Sequence, residues 1–248
     1  MKFVWFSSTF CLFALTACNG TDGNLSLADK FSSCNIPEDQ RDSHLTAMPN
    51  QFPLEIEMDS MFDPGGQSPG LVMAINNAVN TWNAYGRSVI GQDLFSLQLA
   101  QNVPSSVRGL DPHDCSQNFG TEQSLYMIRE SNSSQWSALG FGELIPGATV
   151  SCYNGDSLSQ QIILIRPDLV PTQQFPAVIT HELGHALGLD HSCSSKSGSS
   201  RFTGCDSLPA QHPYRDAIMF PSLTGREMNS NALGGNDIIS ATCLFSGS

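Results

Sequence analysis

A chain of 248 residues, 40% of them apolar and only 14% charged, is long enough for one folded domain with a sizeable core and an additional segment. This composition excludes a disordered polyelectrolyte and an integral membrane protein. The 11 basic and 23 acidic residues give a net charge of -12, which excludes an extended basic face for nucleic acid. An acidic surface can hold calcium, but no segment matches an EF-hand loop, so calcium stays an open alternative.

The N-terminus has the pattern of an export signal. Lys2 precedes an apolar stretch from Phe3 to Leu15, which has the length of a signal-peptide core. The stretch is too short for a bilayer span, which needs about 20 apolar residues. We predict a signal peptide over residues 1–17 and export of the mature protein. A buried core helix is the alternative, and it is disfavoured because the stretch opens the chain behind a single Lys.

The segment Leu15-Thr16-Ala17-Cys18 resembles the lipobox of bacterial lipoproteins, in which the Cys is lipidated and becomes the mature N-terminus. The resemblance implies that acyl chains on Cys18 anchor a soluble domain to a membrane surface. Asn19 follows the Cys, which slightly favours an outer membrane or cell surface. Secretion without a lipid anchor is the alternative.

Setting aside Cys11 in the signal and Cys18 leaves six of the 8 cysteines. An even number suits up to three disulfides in an oxidising compartment, and the count alone does not select the pairs. These cysteines are Cys34, Cys115, Cys152, Cys193, Cys205 and Cys243.

Residues 18–50 are polar and aperiodic, so we predict a tether or short pro-segment there and a folded domain over residues 51–248. A helix should begin at Pro69, after a Ser68 N-cap, and end at Gly86. Two later helices are expected at about Pro176–Leu187 and Asn236–Phe245. Alternating polarity predicts strands at Leu54–Met58, Leu94–Leu99, Ser124–Arg129 and Gln161–Arg166. The order of elements indicates a mixed α/β or α+β fold.

The second helix carries a pattern of metal ligands. His181 and His185 are four residues apart and therefore lie on one helical face. Gly188 permits a left-handed turn at the end of the helix, and His191 can then return as a third ligand. A pair of histidines at this spacing often arises by chance. The whole string from His181 to His191, HExxHxxGxxH, fixes five positions, which argues against a packing origin.

Three nitrogen ligands leave the fourth position of a tetrahedral zinc ion open, as in catalytic and not structural sites. Zinc lowers the pKa of a bound water to about 7, and a carboxylate beside the first ligand can accept its proton. Glu182 occupies that position. We therefore predict one catalytic Zn2+ held by His181, His185 and His191, with Glu182 as the catalytic residue.

The string HExxHxxGxxH followed by Ala217-Ile218-Met219 resembles the metzincin metalloproteases, whose signature ends in a methionine turn. Ser192 and Pro221 resemble the matrixin branch. The resemblance implies an α+β catalytic domain with a twisted, mostly parallel sheet, an active-site helix and a C-terminal helix. Met219 would then lie beneath the metal without binding it.

The resemblance also implies an activity and its partners: a monomeric zinc endopeptidase that cleaves a peptide or protein substrate. The substrate would lie extended along an edge strand near Ala138 to Ile145. Matrixin pro-segments carry a zinc-blocking Cys followed by Gly-x-Pro-Asp. The segment from Cys34 to Glu38 lacks that Gly, and cysteine parity favours a disulfide for Cys34.

The segment between His191 and Met219 is longer than matrixins usually need, and it contains Cys193 and Cys205. We predict a disulfide between them, which would stabilise the loop by about 3 kcal/mol in the chain-entropy model. The loop should border the pocket for the residue just after the cut.

Two rival functions use the same residues. The first is a catalytically silent surface-binding lipoprotein that retains the metal site, although such a protein would have no use for Glu182. The second is a zinc hydrolase of a non-peptide amide or ester, which the zinc string alone does not distinguish from a peptidase.

Overall fold

The computed structural model describes residues 52–62, 69–100, 124–129, 133–138, 140–142, 144–154, 157–193, 204–222 and 232–245. The expected signal peptide, the tether, Cys18, Cys34 and Cys115 lie outside these residues. Within the described ranges, none of the helices combines the length and the apolar character that crossing a membrane requires.

Among the residues that the structure describes, five strands form a sheet at the centre of the domain, in the order β2-β1-β3-β5-β4. All neighbouring pairs are parallel except β4 and β5, which are antiparallel. The strands are β1 (Leu54–Asp59), β2 (Phe95–Ala100), β3 (Ser124–Arg129), β4 (Gly147–Asn154) and β5 (Ser157–Ile165).

The helices are α1 (Pro69–Val89), α2 (Ser133–Ala138), α3 (Phe175–Ala186) and α4 (Gly235–Phe245). The structure therefore confirms the predicted mixed α/β architecture, with a mostly parallel sheet, a helix that carries the histidine string and a C-terminal helix.

The main core lies between one face of the sheet and helices α1 and α3. Ile56 and Ile163 from the sheet and Leu183 from α3 are completely buried there. Trp82 of α1 is also completely buried, and its Nε1 donates a hydrogen bond to the Thr180 carbonyl of α3 at 2.9 Å. This bond satisfies the indole N–H in the core and fixes α1 against the helix that carries the histidines.

The first helix does not end at Gly86, as expected, but continues to Val89. A Cβ atom at position 86 would lie 2.6 Å from Leu94 Cγ and 2.7 Å from the Gln92 carbonyl oxygen. Glycine is therefore present because the returning chain packs against the helix. The left-handed turn occurs at Gly91, where φ is 77°.

The expected edge strand near Ala138 to Ile145 is wrong. Residues Ser133–Ala138 form α2, and the edge strand β4 begins at Gly147. Pro146 lacks an N–H for the ladder, and Gly140 has a φ of 80°, so the chain turns here before it becomes extended. β4 was not predicted from the sequence, although Ala148, Val150 and Cys152 occupy alternate positions along it.

Candidate active site

Helix α3 and the turn after it place the three predicted metal ligands. His181 and His185 project from successive turns of the helix, whose last residue is Ala186. The chain then reverses at Gly188, where φ is 95°, and Leu189 N donates to the Gly184 carbonyl at 3.0 Å. This left-handed turn returns His191 to the face that carries the other two imidazoles.

The Nε2 atoms of the three histidines converge on one point. The distance between them is 3.1 Å for His181 and His185, 3.2 Å for His185 and His191, and 3.3 Å for His181 and His191. Tetrahedral zinc with Zn–N bonds of 2.0–2.1 Å would separate its ligand nitrogens by roughly 3.3–3.4 Å. The arrangement therefore fits a zinc ion without rearrangement of the chain.

The opposite ring nitrogens fix the orientation of two imidazoles. His181 Nδ1 lies 2.7 Å from the Ile218 carbonyl, and His185 Nδ1 lies 2.8 Å from the Leu189 carbonyl. A carbonyl oxygen only accepts, so each Nδ1 must carry the proton and donate it. The Nε2 lone pairs then point to the shared centre, as metal ligation requires.

The electrostatics of the site favour neutral imidazoles. Burial lowers the pKa of His181 well below its ordinary value, and the neighbouring His185 and His191 lower it further. Burial, with a smaller contribution from His185, lowers the pKa of His191 to about 3. A neutral imidazole is the form that binds a metal ion.

Glu182 lies against the edge strand, where β4 crosses α3. Its Oε2 accepts a hydrogen bond from the Thr149 hydroxyl at 2.7 Å. Burial raises the pKa of the Glu182 carboxyl, whereas the nearby His185 and the Thr149 hydroxyl lower it. A buried carboxylate with an elevated proton affinity, adjacent to a metal ligand, is suited to accept a proton.

The methionine turn packs directly beneath α3. Met219 is buried, and its sulfur lies so close to Gly184 that a Cβ atom at position 184 would overlap it. The Trp82 ring would also lie within 3.2 Å of such a Cβ atom. Gly184, between the two helical histidines, therefore leaves the space in which Met219 supports the metal-binding helix.

Asp237, which is 1% exposed in the first turn of α4, was not predicted from the sequence as a site residue. Its carboxylate accepts hydrogen bonds from the backbone N–H groups of Ile218 at 2.7 Å, Met219 at 3.1 Å and Gly234 at 2.7 Å. An acidic residue in the first turn of a helix is an ordinary pattern, so the sequence alone gave no reason to connect it to the methionine turn.

The loop between His191 and Met219 contains the Cys193–Cys205 disulfide that we expected. Both cysteines pack with Leu208 and Phe220 in a small separate core. The Arg215 guanidinium donates to the Cys205 and Leu208 carbonyls at 2.8 and 2.9 Å and lies over the Phe220 ring.

Two further cysteines, Cys152 of β4 and Cys243 of α4, each also take part in a disulfide.

Ser192 joins the third histidine to the methionine turn. Its N–H donates to the Met219 carbonyl at 2.9 Å, and its hydroxyl donates to the Tyr214 carbonyl at 2.8 Å.

Within the described residues, His181, His185 and His191 are the cluster whose donor atoms could hold a metal ion. No curated protein matches the chain significantly. A family model described as Metallo-peptidase family M12 matches residues 66–232, which is about two thirds of the chain and includes the whole histidine string. The chain belongs to metallo-peptidase family M12.

Proposed function

We propose that this protein is a zinc-dependent endopeptidase in which Glu182 acts as the general base. The observation that carries the proposal is the convergence of three imidazole Nε2 atoms in a chain of the M12 metallopeptidase family. Peptidases of this family use zinc, and the separation of the nitrogens fits that ion.

Bound zinc would polarise a substrate carbonyl and lower the pKa of a water molecule. Glu182 follows the first ligand directly, and its carboxylate is buried and bonded to Thr149. Its role is to take the proton from the attacking water and deliver it to the leaving amine. Tight packing around α3 keeps the base and the ligands at a constant separation.

The edge strand β4 offers a place for an extended substrate. In the sheet order it is a terminal strand, paired with β5. Its first residues cross α3 at Glu182, because Gly147 and Thr149 both lie against that side chain. A peptide that pairs with the outer edge of β4 would therefore run past the proposed base.

We also propose a matrixin-like branch and a lipid anchor for this protein. The matrixin-like branch is supported by Ser192 and Pro221, and the lipid anchor by the lipobox that ends in Cys18. A lipidated Cys18 would place the domain on a bacterial outer membrane or cell surface, where it would act as a monomer on peptide or protein substrates.

The test is to incubate the purified protein with a peptide library, with and without a chelator. Specific cuts that disappear with the chelator and return with added zinc are the expected result. If the protein binds zinc and makes no cuts, the endopeptidase proposal fails in favour of a silent binding lipoprotein. If it cleaves esters or non-peptide amides and leaves the peptides intact, the proposed substrate class is wrong.

A further inference from the structure

The Thr149 side chain connects the edge of the sheet to the proposed base. Its hydroxyl lies 2.7 Å from Glu182 Oε2 and 3.0 Å from the Glu182 carbonyl oxygen. A hydroxyl has one proton to donate, and the shorter distance identifies the carboxylate as the acceptor. This contact joins residues that are 33 positions apart, so it exists only because β4 folds over α3.

The other carboxylate oxygen of Glu182 faces Gly147. A Cβ atom at position 147 would lie 2.8 Å from Oε1 and 3.0 Å from Glu182 Cγ. Residues 147 and 149 share a face of β4, because side chains alternate along a strand. The strand therefore has no side chain at position 147 and a hydroxyl at position 149, and the Glu182 carboxylate lies against both positions.

β4 is held over α3 by contacts that do not involve the Thr149 side chain. The buried Gln161 amide donates to the Ser151 hydroxyl at 3.1 Å and to the Ala186 carbonyl at 3.0 Å. The antiparallel ladder to β5 also runs the length of β4. The Thr149 hydroxyl is therefore not required to dock the strand.

We propose that Thr149 is a positioning residue that holds the Glu182 carboxylate in the orientation needed for proton transfer. The proposal rests on the proposed function, in which Glu182 is the base. A Glu side chain has several rotatable bonds, and general base catalysis requires hydrogen-bond reach of the transferred proton. The hydroxyl fixes Oε2, so that Oε1 is the oxygen left to accept the proton.

This role predicts a specific kinetic result for two substitutions. Thr149→Val keeps the shape of the side chain and removes the hydroxyl, and it should lower kcat about 10- to 100-fold with little change in KM. Thr149→Ser keeps the hydroxyl and should restore most of the turnover. Zinc content should equal that of the wild type in both variants.

Thr81→Val on α1 is the matched control, because it removes a threonine hydroxyl that donates to the Asn77 carbonyl of its own helix at 3.0 Å. It should keep wild-type kcat. A Thr149→Val variant with wild-type kcat would overturn the proposal, as would a Thr149→Ser variant as slow as the Val variant.

A second measurement does not depend on catalysis. In zinc-free protein, Thr149→Val should lower the Tm more when Glu182 is present than in a Glu182→Ala background, where the hydroxyl keeps only the backbone carbonyl of residue 182 as an acceptor. An equal loss of Tm in both backgrounds would show that the hydroxyl acts elsewhere and would contradict the proposal. If the wild type binds zinc and cleaves nothing, the proposed function fails, whereas the Tm comparison still decides whether Thr149 holds Glu182.

Discussion

The Asp237 carboxylate holds the backbone of Met219, accepting its N–H at 3.1 Å from 18 residues away in the sequence. The same carboxylate accepts the Ile218 N–H, and the Ile218 carbonyl accepts the Nδ1 proton of His181. A continuous chain of hydrogen bonds therefore runs from the C-terminal helix through the methionine turn to a proposed metal ligand. Such partners orient metal-binding histidines and affect metal affinity.

Replacing Asp237 with Asn should destabilise the zinc-free protein and weaken zinc binding. The amide nitrogen of Asn cannot accept a hydrogen bond, so at least one buried backbone N–H would lose its partner, at a cost of about 1–3 kcal/mol. The Tm and a zinc competition titration measure the two effects. Ile239→Ser, at an exposed position of the same helix, should leave both unchanged. Wild-type values for Asp237→Asn would refute this role.

Gly184→Ala should also destabilise the protein, because the added methyl group overlaps the Met219 sulfur. Overpacking of a buried site costs about 1–3 kcal/mol. If the contact with Met219 is the cause, Met219→Ala should cost less stability in the Gly184→Ala background than in the wild type. Thermal unfolding of the two single variants and the double variant tests this, and additive losses of stability would speak against it.

Removing the loop disulfide should change specificity more than metal binding. In the Cys193→Ser, Cys205→Ser double variant, the loop keeps its Arg215 hydrogen bonds but loses the covalent link that closes it. We expect zinc to stay bound while the pattern of cut peptides changes or the loop becomes sensitive to added protease. An unchanged cleavage pattern together with an intact loop would be the contrary result.

The lipid anchor is tested by metabolic labelling with a fatty acid. The native chain should take up the label, and Cys18→Ala should abolish it. Cys11→Ala, within the expected signal peptide, is the matched control and should keep the label. An unlabelled native chain would rule out the anchor.

The convergence of the three histidines was predictable from the sequence because its geometry is local. The spacing of His181 and His185 determines that they share a helical face, and Gly188 supplies the turn that returns His191. Two long-range contacts were not predictable in this way. Thr149 and Asp237 reach the site only through the packing of β4 and α4, and ordinary Thr and Asp positions carry no signal of such contacts.

The fold was predictable where apolar residues alternate or recur at helical spacing. β1, β3 and the helices α1, α3 and α4 therefore lie near their expected positions, whereas α2 was not predicted. β4 begins with the small residues Gly147 and Ala148 and was not predicted. Gly86 does not end its helix, because the residues that pack against it, Leu94 and Gln92, lie beyond the helix. In both cases tertiary packing outweighed the local pattern.

In the proposed mechanism, Glu182 performs the proton transfer at a zinc site made by three histidines. The most direct test measures zinc stoichiometry and peptide turnover together in the wild type, in Glu182→Gln and in His185→Ala. Glu182→Gln should retain one zinc ion per chain and lose about 10²- to 10⁴-fold in kcat, because the water loses its base. His185→Ala should lose the zinc itself. Near-normal turnover by zinc-loaded Glu182→Gln would contradict the role of Glu182 as the general base.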